Sequence, residues 1–367
     1  MTIDTVGTSP LLQDPLARRS VEVLKAGQAP TGAFVASPAY ATYQYAWLRD
    51  GAFCAYALDV VGETTSARAF HRWAAGSVEA HRAMIETVIE RVDNGETPQP
   101  EEMPPARYTL DGTLEHADDE PWPNFQVDGY GMWLWALERH LDGSRPDVAT
   151  TSAIRLVADY LATCWRLECF SCWEELDDGE HASTLGAVIA GIEAAARMLD
   201  DHTLAVAAAP VRERLLDAFV VDGRFRRGRT DDRLDGSLLW LSVPFSVLPV
   251  DDPRIVATID AIRSELSGPG GGVYRYRGDT YYGGGQWLLL TSSLAWHDIV
   301  AGHTERGAAL EAWVREQALP TGDLPEQVTG FAQEPSMVDP WVERWGPVAT
   351  PLLWSHAMYL IAAAAAH

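Results

Sequence analysis

Lysine is almost missing from this chain. Lys25 is the sole one among 367 residues, and 28 basic side chains face 52 acidic ones. The net charge of −24 repels phosphate backbones and anionic lipid, so neither nucleic acid nor a membrane is expected as a partner. The acidic residues are dispersed, a pattern that favours solubility. Cysteine is scarce as well. Cys54, Cys164, Cys169 and Cys172 are too few for a disulfide-built fold in a chain this long. Cys169 and Cys172 form one CxxC, and His181 is the only nearby candidate to complete a zinc set with Cys164. Reduced, mostly buried thiols are the simpler reading, and no metal is expected. No apolar run reads as long enough to span a bilayer; 361–366 is apolar but short. Residues 1–15 lack a basic segment followed by an apolar one, so no signal peptide is read and a cytoplasmic location is expected. There is no phosphate loop, dinucleotide fingerprint, nucleophile elbow or HExxH, and no cofactor is expected.

What is present is apolar and aromatic. Hydrophobic residues make up 47 % of the chain and aromatics 10 %, enough for one large core. Apolar periodicity predicts about twelve helices: 11–25, 50–61, 65–92, 126–141, 148–167, 183–199, 203–220, 238–247, 253–266, 286–300, 305–319 and 351–365. Members beginning near 50, 126, 183, 236, 286 and 351 are apolar all round, and those between carry a charged face. Alternating inner and outer helices predict an all-α, double-layered closed barrel. No linker divides the chain, so residues 1–367 read as one domain.

Loops from inner to outer helices are short, whereas those entering inner helices are long and rich in Trp, Tyr, Arg, Asp and Gly. Long loops inside compact domains are usually functional. Tyr43 to Asp50 combines rings with an adjacent Arg49–Asp50 pair. Trp122 to Asp128 joins aromatic, amide and acid. Ser171 to His181 holds Trp173-Glu174-Glu175 ahead of a helix. Gly270 to Trp287 contains Arg275, Asp279, Tyr281 and Trp287, and Leu324 to Gln327 contains Glu326. Asp235 reads as a plain helix cap, and His356 as a packing histidine. Carboxylates, Arg and Trp around a cleft suit glycoside hydrolysis, in which one acid protonates the leaving oxygen and a carboxylate activates water.

The ordered set resembles the glucoamylase-like glycoside hydrolases, family 15. It comprises Thr31-Gly32-Ala33, Tyr43-x-Tyr-x-Trp47-x-Arg49-Asp50, Trp122 with Gln126 and Asp128, and Trp173-Glu174-Glu175. It continues with Arg275-Tyr276, Asp279-Thr280-Tyr281-Tyr282, Trp287, Pro325-Glu326-Gln327 and Pro351-Leu352-x-Trp354-Ser355-His356. The resemblance implies an (α/α)6 barrel with Glu174 as general acid and Glu326 as an ionised general base. Tyr43 would stand near the attacking water, with Tyr281 behind it. Trp47, Arg49, Asp50, Trp122, Trp173, Glu175, Arg275, Trp287 and Gln327 would bind the sugar. The expected activity is exo-acting, inverting hydrolysis of short α-linked gluco-oligosaccharides, a small neutral substrate. A trehalase, or a silent sugar-sensing domain, stands as the alternative. Ser171 and Cys172 depart from the family's usual residues before Trp-Glu-Glu. Linkage and oligomeric state are not legible.

Overall fold

The computed structural model describes residues 10–115, 125–175 and 179–367. In chain order the α-helices are α1 Pro15–Ala26, α2 Leu48–Val60, α3 Thr64–Ala80, α4 Arg82–Asp93, α5 Asp128–Leu141, α6 Val148–Cys164 and α7 Ala182–Leu199. They continue with α8 His202–Ala207, α9 Ala209–Phe219, α10 Pro253–Ala261, α11 Leu288–Val300, α12 Thr304–Glu316, α13 Val338–Trp345 and α14 Leu353–Ala365. Five of them close an inner ring with a 3₁₀ helix, Gly236–Leu241: α2 packs on α5, α5 on α7, α7 on the 3₁₀ helix, that helix on α11, α11 on α14, and α14 back on α2. Helices α1, α3, α6, α9, α10 and α12 lie outside them. This is the closed double-layered barrel that the alternation of apolar and amphipathic segments predicts, and the (α/α)6 barrel that the family resemblance implies.

The ring's interior is filled by rings. Phe53 stacks on Trp354 at 5.5 Å between centroids, and lies 5.6 Å from Trp135 and 6.2 Å from Trp240. Each buried aromatic removes roughly 150–250 Å² from water, about 4–6 kcal/mol at about 25 cal/mol/Å². A net hydrogen bond contributes about 1 kcal/mol, so this packing dominates cohesion. Helix α7 is long and apolar enough to cross a membrane by composition, contrary to the sequence expectation, yet it is mostly buried as a wall of the ring.

The two layers begin their helices differently. Outer helices α1, α6 and α10 start on Asp14, Asp147 and Asp252, whose carboxylates accept first-turn N–H groups. Inner helices α2, α5, α7, α11 and α14 have no side-chain cap. Backbone carbonyls of the long loops serve several of them instead. Ala182 N–H donates to Arg227 O, Leu288 N–H to Glu326 O, and Leu353 N–H to Ala36 O. Gly236 N–H, opening the 3₁₀ helix, donates to Arg275 O. The loops are thereby clamped at one end of the barrel, with Arg275 and Glu326 among the clamping residues.

Several predicted boundaries are corrected. The run 65–92 breaks at His81, whose φ of −108° and ψ of 17° leave the helical region. The run 203–220 breaks at Ala208, two residues before Pro210, which starts a fresh helix better than it continues one. The inner member expected over 238–247 is the 3₁₀ helix, ended ahead of Pro244. The end of 253–266 widens into a π turn, Ile262–Leu266. Helix α13 falls in a stretch read as loop.

Candidate active site

A cavity of about 410 Å³ opens where the long loops meet, within the roughly 300–1,000 Å³ usual for small-ligand sites. Tyr43, Trp47, Arg49, Asp50, Trp173, Glu174, Glu175, Arg275, Trp287 and Glu326 all line it. Short strands set the register. Ala46–Trp47 pairs antiparallel with Arg107–Tyr108. Gln286–Trp287 lies between Val273–Tyr274 and Gln327–Val328, with Trp287 opposite Gln327. That strip places Trp287 beside Glu326.

Glu174 occupies a tight turn. Its N–H donates to Ser171 O at 2.8 Å, and Ser171 N–H donates to Glu175 O at 2.8 Å. Ser171 Oγ accepts from Trp173 N–H at 3.3 Å, which gives the departing serine a turn-closing role. The backbone of Glu174 has φ +62°. Its Oε1 accepts Trp47 Nε1–H at 2.5 Å and Arg49 Nη2–H at 3.4 Å. Both donors converge on one oxygen, so a proton of the acid form belongs on Oε2.

Arg49 is held by Gln126 Oε1 at 2.6 Å and Asp128 Oδ2 at 3.3 Å. Asp50 stands beside it, 3.6 Å from Arg49 Nε. Asp50 does not cap α2; it lies in the first turn, 7 % exposed. Burial pushes its carboxyl up to about 7 against the pull of Arg49. Its Oδ2 has no hydrogen-bond partner among the described residues, the state of a group that a ligand hydroxyl would satisfy.

Glu326 accepts Tyr43 O–H at 3.1 Å, and Tyr43 meets Tyr281 at 3.0 Å between hydroxyls. Burial pushes the Glu326 carboxyl up to about 8, opposed by Arg275 and by the Tyr43 and Tyr281 hydroxyls. The sequence reading expects this base to be ionised, and those three opposing groups are the ones that favour its charged form.

Glu175 turns away from the acid role. It accepts Arg275 at 3.0 Å and Arg227 at 3.4 Å, and also bonds the Tyr276 hydroxyl. Burial works against its charge, but Arg275, Tyr276 and Arg227 outweigh it and hold the carboxyl below its ordinary value. Arg275 is gripped bidentately by Asp279 at 2.7 Å and lies 4.9 Å from the Trp287 ring centroid. Asp235 is more than a cap. Besides accepting Ser237 N–H, it accepts Trp173 Nε1–H at 3.0 Å and so aims that ring.

One sugar-contact expectation falls elsewhere, and one concerns a residue that is not described. Gln327 does not line the cavity; its amide accepts Gly285 N–H and donates to Tyr281 O, bracing the tyrosine loop. Trp122 lies outside the described residues. His356 is a packing residue as expected. Its Nε2 accepts Leu324 N–H and its Nδ1 meets Ser20 Oγ, and burial pushes it down to about 3. The four cysteines are free and buried, and His181 Nε2 bonds Cys169 O rather than completing a thiolate set.

Sequence reasoning missed the outer wall. Trp341, Arg344 and Trp345 of α13 line the cavity. Trp341 and Trp345 stand four residues apart, a helical spacing that marks one face. Pro340 and the neighbouring charges obscured it.

The sequence model of the glycosyl hydrolases family 15 matches residues 13–319. An isomaltose glucohydrolase of Kribbella flavida is 40 % identical over 357 residues, covering 95 % of this chain and 91 % of that protein. The chain belongs to family 15. Among solved structures, a glycosidase variant in complex with glucose is similar, 38 % identical, with a TM-score of 0.91, covering 100 % of this chain and 99 % of that one. A bacterial glucoamylase complexed with acarbose shares the fold at a TM-score of 0.72 and 20 % identity, covering 97 % of this chain and 56 % of its own. This family 15 member is an α-glucoside hydrolase, and these similarities are consistent with a small sugar as its substrate.

Proposed function

We propose that the enzyme removes β-glucose from the non-reducing end of short α-linked gluco-oligosaccharides, isomaltose among them, with inversion. The observation that carries the reading is the separate suspension of two carboxyls in one cavity. Glu174 hangs from Trp47 and Arg49, and Glu326 from Tyr43. The rings of Tyr43 and Trp47 stand edge to face at 5.9 Å between the two suspensions. Glu174 protonates the glycosidic oxygen as the bond to the anomeric carbon breaks. Glu326 takes a proton from the water that attacks the opposite face of that carbon. Arg49, Asp50 and Arg275 bind the terminal sugar's hydroxyls. The similarity to an isomaltose glucohydrolase supports the substrate class. Trp341, Arg344 and Trp345 are placed to meet the second sugar.

Proton NMR during the first minutes of isomaltose hydrolysis tests the stereochemistry. β-Glucose appears first and mutarotates later; initial α-glucose would overturn the inverting assignment. Release of glucose from neither isomaltose, maltose nor trehalose would favour a silent sugar-sensing domain instead.

A further inference from the structure

We propose that Asp59, His71 and His140 form a binding site for one divalent transition-metal ion of the zinc class. Asp59 ends α2, His71 lies within α3, and His140 ends α5. Asp59 is ten residues beyond Arg49 on α2, about 15 Å along the helix axis. The cluster therefore lies at the far end of the barrel from the sugar cavity.

One potential ligand atom from each residue lies within 4.8 Å of the others. His140 Nδ1 stands 3.0 Å from both Asp59 oxygens, and its ring centroid is 4.9 Å from that of His71. His71 is the second observation. It is 3 % exposed, and neither of its ring nitrogens has a hydrogen-bond partner among the described residues. A buried imidazole with an unused acceptor is costly unless something satisfies it. A metal ion would use that lone pair.

The donor set also fits the ion. Two imidazole nitrogens and one carboxylate suit zinc and its neighbours, whereas calcium and magnesium favour oxygen ligands. Ligands about 2.0–2.1 Å from a tetrahedral zinc stand roughly 3.3 Å apart. The Asp59–His140 separation is already close to that. His71 has to approach by on the order of 1 Å. Asp59 and His140 are partly exposed, at 14 % and 10 % of their side chains, so water can reach the fourth position. The ion would tie the ends of α2 and α5 to the middle of α3. The other ends of α2 and α5 carry Arg49, Asp50 and Asp128. Its effect is on stability rather than on the reacting atoms.

The test uses tag-free protein stripped with a chelator, then dialysed with zinc chloride. The expected results are one zinc per chain by elemental analysis and a Tm higher by about 3 °C at a hundredfold excess over Kd. Asp59→Asn, nearly isosteric, loses both. His71→Leu also loses both, while its metal-free Tm stays level or rises because two unpartnered nitrogens are gone. kcat/KM of the metal-free wild type stays within about twofold at 25 °C. No zinc uptake by the wild type would overturn the site. So would uptake and a Tm rise that persist in both variants.

Discussion

Glu174 holds a left-handed backbone, φ +62°, that side-chain-bearing residues rarely adopt. Such strain persists where surrounding structure over-determines it, and here the Ser171–Glu175 turn does so. Replacing only the carboxyl leaves that turn in place. Glu174→Gln and Glu326→Gln are each expected to lower kcat by about 10²–10⁴-fold with unchanged circular dichroism. Near-normal turnover in a folded variant would move the role to another carboxyl. Tyr43 allows a subtler test. Activity should rise with pH as Glu326 loses its proton, so the acid limb of kcat/KM reports that group in the free enzyme. The Tyr43 hydroxyl donates to the carboxylate and favours its charged form. In Tyr43→Phe the limb is expected to move to higher pH, by on the order of one pH unit. An unmoved limb, or one shifted to lower pH, counts against Glu326 as the base.

The inner helices touch most closely at α5 and α7. A Cβ added at Gly191 would stand 2.5 Å from Gly131 Cα, and one at Gly131 would stand 2.2 Å from Ala187 O. Both obstacles are backbone and cannot swing aside. Gly191→Ala is therefore expected to destabilise the fold by about 1–3 kcal/mol through overpacking. Gly76, within α3, faces open space. There Gly76→Ala is expected to raise stability by about 0.5–1 kcal/mol, since alanine is the better helix former. Thermal or denaturant unfolding of the pair checks both signs; two shifts of the same sign would refute the close-contact account. Helix α13 marks the limit of periodicity at this scale. Its eight residues hold one apolar face with no buried member, so the pattern that identifies core helices is weak there. Its two tryptophans line the cavity and pack, only partly buried, against the edge of the core.

Over the whole molecule, the loops entering the inner helices gather at one end and build a pocket that ends on buried Arg49 and Asp50. On the proposed exo reading, a chain end enters this pocket. With a linear α-gluco-oligosaccharide of several units, glucose is the expected sole early product, read by chromatography of initial-rate samples. Early release of larger fragments would show internal cleavage and sink the exo assignment. Much of this was legible in the sequence, because barrel helices are selected by periodic burial and because Arg49-Asp50, Trp173-Glu174-Glu175 and Glu326 sit in short contiguous motifs. Local pattern could also place His356 in packing, and the loops at helix starts. It could not tell that Gln327 braces Tyr281, that Asp235 aims Trp173, or that Glu175 is paired with Arg275 and Arg227. Nor could it tell that burial raises the Glu326 carboxyl, or bring Asp59, His71 and His140 together. Those outcomes depend on which groups become neighbours and how deeply they are buried. Hydrogen bonding and desolvation act over a few ångströms of space between residues far apart in the chain, and only the closed ring of helices sets those distances.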